Sequence, residues 1–257
     1  MSKKPVLFYT IADSANLPMA LNCEKSFKSF HEDIPFRIVQ GEELESYLKT
    51  DPAFFYRATP ILTEKYLEEY ELVVKIDADS LVLGDISYIW KTKDYDIATV
   101  LNFNKLDPLT YGYVDIQRIG ITPVDYFNCG LVAIRNAKFA HHWKIKCFDP
   151  EFDKVQYREQ DILNVLCYYG NYSVRCLDHG DPIGGNVGWW GLIGKSRWKD
   201  AVVEGNKIVV KDIGDKFPAR DTELKIVHMA GGSGNKKDNW GVYFSNEVME
   251  RINEILK

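Results

Sequence analysis

The chain has 257 residues, of which 46% are hydrophobic and 27% charged, and its formal net charge is -5 at pH 7. This length and apolar content suit one large α/β domain better than two full domains. A mildly acidic chain has no general attraction for nucleic acid or an anionic membrane, so a polyanionic ligand has to be held by a few local cations or a metal ion.

Nothing in the sequence predicts a membrane span or a secretory leader. No window approaches the run of about 18 apolar residues that a transmembrane helix requires. The start, "MSKKPVLFYTIAD", lacks the longer apolar region and cleavage site of a signal peptide. The five cysteines are scattered and contain no C-x-x-C pair. We therefore expect reduced thiols and a cytoplasmic protein, without a zinc cluster or a disulfide framework.

Strand-like and helix-like segments alternate along the chain without a repeat, linker or low-complexity tract. The predicted strands are 5–10, 36–39, 72–76, 96–101, 129–134, 173–177 and 225–227. The predicted helices are 17–30, 42–48, 60–70, 137–148, 158–169 and 245–256. Residues 102–126 and 178–223 are less periodic, and we expect them to form walls over a site. The alternation predicts an α/β sandwich with a mainly parallel sheet, which binds ligands at the carboxyl ends of its strands.

The segment "VVKIDADSLV", residues 73–82, ends an apolar strand on Asp77 and Asp79. If the chain turns there, both carboxylates can reach one ion, and oxygen ligands suit Mg²⁺ or Mn²⁺. The alternative is a solvated turn with two surface acids. The apolar runs on both sides favour the ion site.

A second candidate segment is "KIVHMAGGSGNKKDNW", which begins at residue 225. A short strand delivers His228, whose imidazole is a suitable third ligand for Mn²⁺. The glycines that follow, Gly231 among them, let backbone N–H groups approach an anion, and Lys236 or Lys237 supplies a positive charge for phosphate. Taken alone, His228 is better explained as a half-buried histidine, but the glycines and lysines of the same loop favour a ligand.

Two further segments carry polar side chains at the predicted strand and helix ends. In "YFNCGLVAIRN", residues 126–136, Asn128 either leads into a core strand or offers its amide to a hydroxyl-rich ligand. In "YREQDILNVLCYYG", residues 157–170, Glu159 and Asp161 open a helix, where the helix dipole favours acids. The dipole does not account for Gln160 between them.

These four segments, in this order, resemble the metal-dependent retaining glycosyltransferases of the glycogenin and bacterial galactosyltransferase type, family 8. The matching motifs are "KIDADSLV", "YFNCGLVAIRN", "EQDILN" and "VHMAGG…KK…W". The resemblance implies one catalytic domain over residues 1–257, with the glycosyltransferase A fold, an α/β/α sandwich around a mixed, mainly parallel sheet. Residues 1–101 would be its nucleotide-binding half, and 102–257 the half for donor sugar and acceptor.

The resemblance also implies the site. Asp77, Asp79 and His228 would bind Mn²⁺ (or Mg²⁺) on the diphosphate of a UDP-sugar, and Asp77 could act partly through water or the donor's ribose. The implied catalytic residues are Glu159, Gln160 and Asp161, with Gln160 closest to the anomeric carbon. The implied donor-binding residues are Tyr9, Thr10, Ile11, Asp13, Arg57, Lys65, Ala78, Asn128, Cys129, Gly231, Lys236 and Lys237.

Some details of the implied site depart from the family pattern. The loop after His228 is longer than usual and lacks a proline, so the choice between Lys236 and Lys237 is open. Arg57 and Lys65 are alternatives for the basic residue expected on the helix before the metal-binding strand. Glu159 stands where an aspartate is common, so the sugar pocket could differ.

The implied reaction moves a hexose from UDP-glucose or UDP-galactose to a glycan or glycoprotein acceptor, with retention of anomeric configuration. Trp189, Trp190 and Tyr111 either stack on acceptor sugars or fill the core beneath long loops. Two alternatives are a haloacid-dehalogenase-like phosphohydrolase, since "DADS" fits its D-x-D-x-[ST] motif, and a catalytically silent nucleotide-sugar-binding protein. We expect no nucleic-acid partner, and the oligomeric state is open.

Overall fold

The computed structural model describes residues 3–51, 53–101, 126–150, 159–177, 200–211, 221–229, 241 and 243–257. The strands of the described part are β1 (Leu7–Ile11), β2 (Phe36–Val39), β3 (Val73–Ile76), β4 (Ser80–Val82), β5 (Ile97–Leu101), β6 (Phe127–Ile134), β7 (Val174–Cys176), β8 (Ala201–Glu204), β9 (Lys207–Val210), β10 (Thr222–Glu223) and β11 (Ile226–His228). The helices are α1 (Leu17–Lys28), α2 (Gly41–Thr50), α3 (Ala58–Tyr66), α4 (Tyr88–Lys91), α5 (Ala137–Cys147), α6 (Glu159–Tyr169) and α7 (Asn246–Ile255), with a 3₁₀ turn at Phe54–Tyr56.

Six of the strands form the central sheet, in the order β2-β1-β3-β6-β5-β7. The pairs β1·β2, β1·β3 and β5·β7 are parallel, whereas β6 runs antiparallel to both of its neighbours. The predicted mixed, mainly parallel sheet is therefore confirmed. Because β1 and β3 are parallel neighbours, the residues that follow them lie at the same edge of the sheet.

The sheet is buried on both faces because its strands alternate apolar side chains between two cores. On β1, Leu7 and Tyr9 face the core formed with α2, α3, α5 and α6, while Phe8 faces the core formed with α1 and α4. On β3, Val73 faces the first core and Val74 the second. This two-sided burial explains why these strands are nearly continuous apolar runs in the sequence.

A third core joins the shorter strands to the last helix. β4 pairs with β11, and β8, β9 and β10 form an antiparallel sheet. Helix α7 buries Val248, Ile252 and Ile255, which lie on one helical face, against β4, β9 and β11. This packing places β11, and with it His228, over the end of β3.

The element boundaries differ from the sequence expectation in a few places. The helix predicted over 60–70 begins two residues earlier, at Ala58, and ends at Tyr66. The stretch 178–223, predicted to be irregular, contains the hairpin β8–β9. Its two-residue loop begins with Gly205 at φ 63°, a left-handed conformation that glycine adopts without strain. No helix of the described residues is long and apolar enough to cross a membrane.

Candidate active site

Three side chains that could hold a metal ion come together at the carboxyl end of β3. One ligand atom from each of Asp77, Asp79 and His228 lies within 4.8 Å of the other two. His228 Nε2 is 3.1 Å from Asp77 Oδ2 and 3.0 Å from Asp79 Oδ1. The imidazole is buried, while the side chains of Asp77 and Asp79 are 34% and 26% exposed. The group is thus closed on the histidine side and accessible on the carboxylate side.

Backbone pairing explains why residues so distant in sequence meet here. The Asp77 N–H donates to Gly130 O at 2.8 Å, which extends the β3·β6 ladder to the first acid. The chain then turns, and Ser80 N–H donates to Asp77 O at 3.2 Å. In the β4·β11 pair Ser80 lies opposite His228, and Met229 N–H donates to Asp79 O at 2.9 Å. This register fixes the imidazole beside both acids.

The electrostatics of the group are those of a site that holds positive charge. Burial alone would lower the pKa of His228, but the charges and hydrogen bonds of Asp79 and Asp77 outweigh it and raise the pKa to about 9. Burial alone would raise the pKa of Asp77, but Lys75 and His228 hold it well below its usual range. The imidazole is therefore protonated at neutral pH and occupies the place of a cation between the two carboxylates.

Lys75 is a site residue that the sequence reasoning missed. Its side chain is 10% exposed, and its ammonium donates to Asp77 Oδ1 and, at 2.9 Å, to Cys129 O. Burial would lower the pKa of Lys75, but the Asp77 carboxylate raises it, so the group is charged. The available signal was a lysine inside an otherwise apolar strand, two residues before Asp77 and so on the same side of the strand as that acid.

The strand β6 is distorted beside the group formed by Asp77, Asp79 and His228. Its pairing with β5 shifts register, so that Thr99 is opposite Val132 and Val100 opposite Asn128. Thr99 Oγ1 lies 2.8 Å from Asn128 O and 3.0 Å from Leu131 O, and Asn128 Oδ1 accepts from the Gly130 N–H at 2.6 Å. Such bulges re-aim side chains next to active sites. Asn128 is buried, and its amide oxygen is engaged within this bulge.

The first turn of α6 is bound to the distorted part of β6. Gln160 Oε1 accepts from the Cys129 N–H at 2.9 Å, which joins the predicted catalytic helix to a predicted donor-binding residue. The Tyr126 hydroxyl donates to the buried carboxylate of Asp161. Asn164 accepts from Phe127 N–H at 2.7 Å and donates to Phe127 O at 2.9 Å. These contacts set the position of residues 159–161 relative to the end of β3.

Glu159 lies in the same electrostatic environment. Burial, the largest effect, raises the pKa of its carboxyl to about 8, and the opposing charges of Lys75 and Asp77 are among the smaller contributions. Its backbone carbonyl accepts from the Trp143 indole N–H at 2.8 Å. With this pKa the carboxyl group is largely protonated at pH 7, and it can then donate a hydrogen bond as well as accept one.

The residues predicted to hold the nucleotide lie at the end of β1, at the same edge of the sheet as the acids. Tyr9 is fully buried, with its hydroxyl 2.9 Å from Thr63 Oγ1 and 3.1 Å from Thr59 O. Thr10 is buried, and its hydroxyl has no hydrogen-bond partner among the described residues. Ile11 ends the strand, and Asp13 accepts from the Asn16 N–H at 2.8 Å just before α1.

Arg57 and Lys65, the two alternatives for a basic residue ahead of β3, both contact residues in α2 or directly after it. Arg57 lies 3.4 Å from Asp51 and its guanidinium is 4.6 Å from the centre of the Phe148 ring. Lys65 donates to the Tyr47 hydroxyl at 2.6 Å. Among the lysines and arginines of the described residues, Lys75 is the one that contacts Asp77 directly.

The remaining predicted residues lie either in the turn after β3 or outside the described residues. Ala78 lies between the two acids in the turn after β3. Six others fall outside the described residues: Tyr111, Trp189, Trp190, Gly231, Lys236 and Lys237. The roles of all these residues stay predictions.

Comparison with known proteins identifies the fold. No protein-family model matches the chain, and no curated protein matches it significantly by sequence. Among solved structures, the galactosyltransferase LgtC in complex with donor and acceptor sugar analogs is 18% identical, with a TM-score of 0.58 over 97% of this chain and 95% of LgtC. The bifunctional glycosyltransferase WbbM is 15% identical, with a TM-score of 0.59 over 99% of this chain and 50% of WbbM. A glycosyltransferase involved in glycosylation of the major capsid of PBCV-1 is 11% identical, with a TM-score of 0.53 over 97% of this chain and 98% of that one.

The chain therefore has the glycosyltransferase A fold, and the expectation of a family-8-like fold is confirmed. The metal-ligand candidates also fit a divalent cation, because two carboxylates and one imidazole form a donor set that Mn²⁺ accepts. The partial exposure of the two carboxylates leaves room for further ligands.

Proposed function

We propose that the protein is a metal-dependent retaining glycosyltransferase that moves a hexose from a UDP-sugar to an acceptor. The observation that carries the proposal is the cluster of Asp77, Asp79 and His228 at the carboxyl end of β3, within the glycosyltransferase A fold. Ligands of such sheets bind at this edge. We further propose that residues 1–101 form the nucleotide-binding half of one catalytic domain and 102–257 the half for sugar and acceptor.

In this proposal Asp77, Asp79 and His228 hold Mn²⁺ or Mg²⁺ against the donor diphosphate. The ion supplies Lewis-acid stabilisation of the charge that grows on the leaving phosphate, an effect worth several kcal/mol. The protein's own part is to bind and orient the donor. The buried imidazole and the hydrogen-bonded acids provide ligand atoms already close to one another, which lowers the reorganisation needed on binding.

The donor would lie across the ends of three neighbouring strands. Thr10, Ile11 and Asp13 would contact uracil and ribose, since parallel pairing of β1 with β3 places them at the metal edge. Glu159 and Asn128 would bind the sugar hydroxyls. The support for these roles is that Cys129, next to Asn128, bonds both to Gln160, next to Glu159, and to Lys75. Glucose and galactose are the proposed sugars.

Retention is proposed to occur by same-face attack, with the leaving diphosphate accepting the acceptor's proton. An amide oxygen is a weak nucleophile compared with the carboxylates that form glycosyl-enzymes. Gln160 Oε1 moreover accepts a hydrogen bond from the Cys129 N–H, which reduces its nucleophilicity further. Proton NMR of the product tests this step, and an inverted anomeric configuration would refute it.

The acceptor is proposed to be a glycan or a glycoprotein. The free state of all five cysteines supports a reducing compartment such as the cytoplasm. A glycan array incubated with the identified donor would define the acceptor class.

The deciding experiment is a screen of nucleotide sugars with Mn²⁺, scored for nucleoside diphosphate release. We expect slow hydrolysis of one UDP-hexose by the wild type and loss of at least about 100-fold in Asp79→Asn, because a metal ligand is removed. Asp33→Asn is the matched control, since Asp33 is exposed and distant from the cluster in sequence. Phosphate release from simple phosphoesters would instead indicate the phosphohydrolase. Tight donor binding without turnover of any donor, with the acceptors of the array present, would indicate the silent binding protein.

A further inference from the structure

Lys75 is a buried charged residue to which the proposed reaction assigns no role. Its ammonium contacts the Asp77 carboxylate on one side and the Cys129 carbonyl on the other. It therefore connects the first metal-ligand candidate to the β6 bulge that holds Gln160.

Stability alone does not explain a lysine at this position. The adjacent residues of β3, Val74 and Ile76, are fully buried apolar side chains. Burial of an ammonium is costly, and an apolar replacement for a buried ion pair is often neutral or stabilising. An apolar side chain at position 75 would avoid the cost of burying an ammonium, although it would leave Cys129 O without this donor. The position of the charge, in contact with Asp77 Oδ1, points instead to an effect on the metal cluster.

This inference rests on the proposed function. We propose that Lys75 is a positioning residue that sets the charge balance of the metal site. It engages Asp77 Oδ1 and leaves Oδ2, the oxygen 3.1 Å from His228 Nε2, to face the cation. Its fixed charge weakens binding of the bare cation and strengthens binding of the nucleoside diphosphate to the loaded site.

A count of the charges shows that Lys75 should change the affinity for the divalent cation and the affinity for the nucleoside diphosphate in opposite directions. With a neutral imidazole, Asp77 and Asp79 contribute two negative charges and Lys75 one positive charge. The site loaded with a divalent ion is thus positive by one unit, and without Lys75 it is neutral. A unit charge about 4–5 Å from a dication changes its affinity by roughly tenfold or more, even with the dielectric constant of water.

The test variant is Lys75→Met, which keeps most of the length of the side chain and removes its charge. Mn²⁺ alone is titrated into the protein and followed by electron paramagnetic resonance. UDP is then titrated calorimetrically into the Mn²⁺-saturated protein. We expect Mn²⁺ to bind at least about tenfold more tightly, and UDP at least about tenfold more weakly, than in the wild type.

Two further variants make the result interpretable. Lys4→Met removes an exposed lysine that lies just before β1 and pairs with Glu69. This control variant should change neither affinity. Lys75→Gln keeps a donor for the Cys129 carbonyl, and should show the same two opposite shifts if Lys75→Met does not fold.

A merely structural role would give a different pattern. If the variant is folded by circular dichroism but both affinities fall together, or neither changes, the inference about Lys75 is wrong while the proposed function stands. A wild-type protein that binds neither Mn²⁺ nor UDP overturns the proposed function, and this inference with it.

Discussion

Asn164 offers a quantitative test of how α6 is held against β6. Its side chain accepts from Phe127 N–H at 2.7 Å and donates to Phe127 O at 2.9 Å and to Gln160 O at 2.8 Å. Asn164 is 1% exposed, so water cannot easily replace these bonds. In Asn164→Leu the number and branching of the side-chain heavy atoms are kept, but the two backbone groups of Phe127 lose their side-chain partner.

The magnitude follows from the cost of unpaired buried groups. Each buried donor or acceptor left without a partner costs about 1–3 kcal/mol, so two of them should lower the free energy of unfolding by about 2–6 kcal/mol. The third bond, to Gln160 O, adds little because a helix carbonyl in the first turn of α6 can also accept from the backbone. Since whole domains are stable by about 5–15 kcal/mol, the loss should be plain in urea denaturation followed by circular dichroism.

Asn253→Leu is the matched control, because Asn253 is exposed on α7 and its substitution should change the free energy of unfolding by no more than about 0.5 kcal/mol. If Asn164→Leu is no more destabilising than the control, the side-chain bonds do not protect Phe127 from water. The attachment of α6 to β6 then does not depend on them.

Three other predictions concern the ionisable groups. Because Asp79 and Asp77 outweigh burial and raise the pKa of His228 to about 9, Mn²⁺ must displace a proton at neutral pH. Its affinity should rise about tenfold from pH 7 to pH 8, with one proton released per ion. Calorimetry in buffers of different ionisation enthalpy measures both quantities, and a pH-independent affinity contradicts the ligand assignment. Tyr126→Phe removes the hydroxyl that donates to buried Asp161, which should cost about 1–3 kcal/mol in thermal unfolding; an unchanged midpoint would show that the bond contributes nothing. Burial raises the thiol pKa of four cysteines, so Ellman's reagent should label them slowly in the native protein and rapidly in guanidinium. Since Cys167 and Cys176 are partly exposed, fast native labelling of more than two thiols contradicts the burial of the other three. The four are Cys23, Cys129, Cys147 and Cys167.

The strands and helices that position the site were largely predictable, because their signal is local. The alternation of β1 and the apolar run of β3 follow from burial on both faces of a sheet. The hairpin β8–β9 was missed although a Gly-Asn pair between two apolar stretches indicates one. The end of α3 was placed too late, since nothing in the composition of residues 67–70 opposes a helix.

The candidate site was predictable only in part. The two acids are visible as a pair because they are adjacent to one strand, and their role as ligands was inferred together with that of His228 from four ordered motifs. Lys75 was overlooked because its importance depends on a contact with the carbonyl of Cys129, on another strand. The β6 bulge was equally hidden, since it is defined by its pairing with β5.

The sequence by itself determined the alternation of elements, the acidic turn after β3 and the polar first turn of α6, because each depends on residues close together in the chain. The tertiary structure decided which of them meet. Pairing of β4 with β11 places His228 between Asp77 and Asp79, and pairing of β3 with β6 places Lys75 against the bulge. Strand register and burial are set by contacts between distant segments, and these contacts turn a pair of mutually repelling acids into a candidate site for a cation.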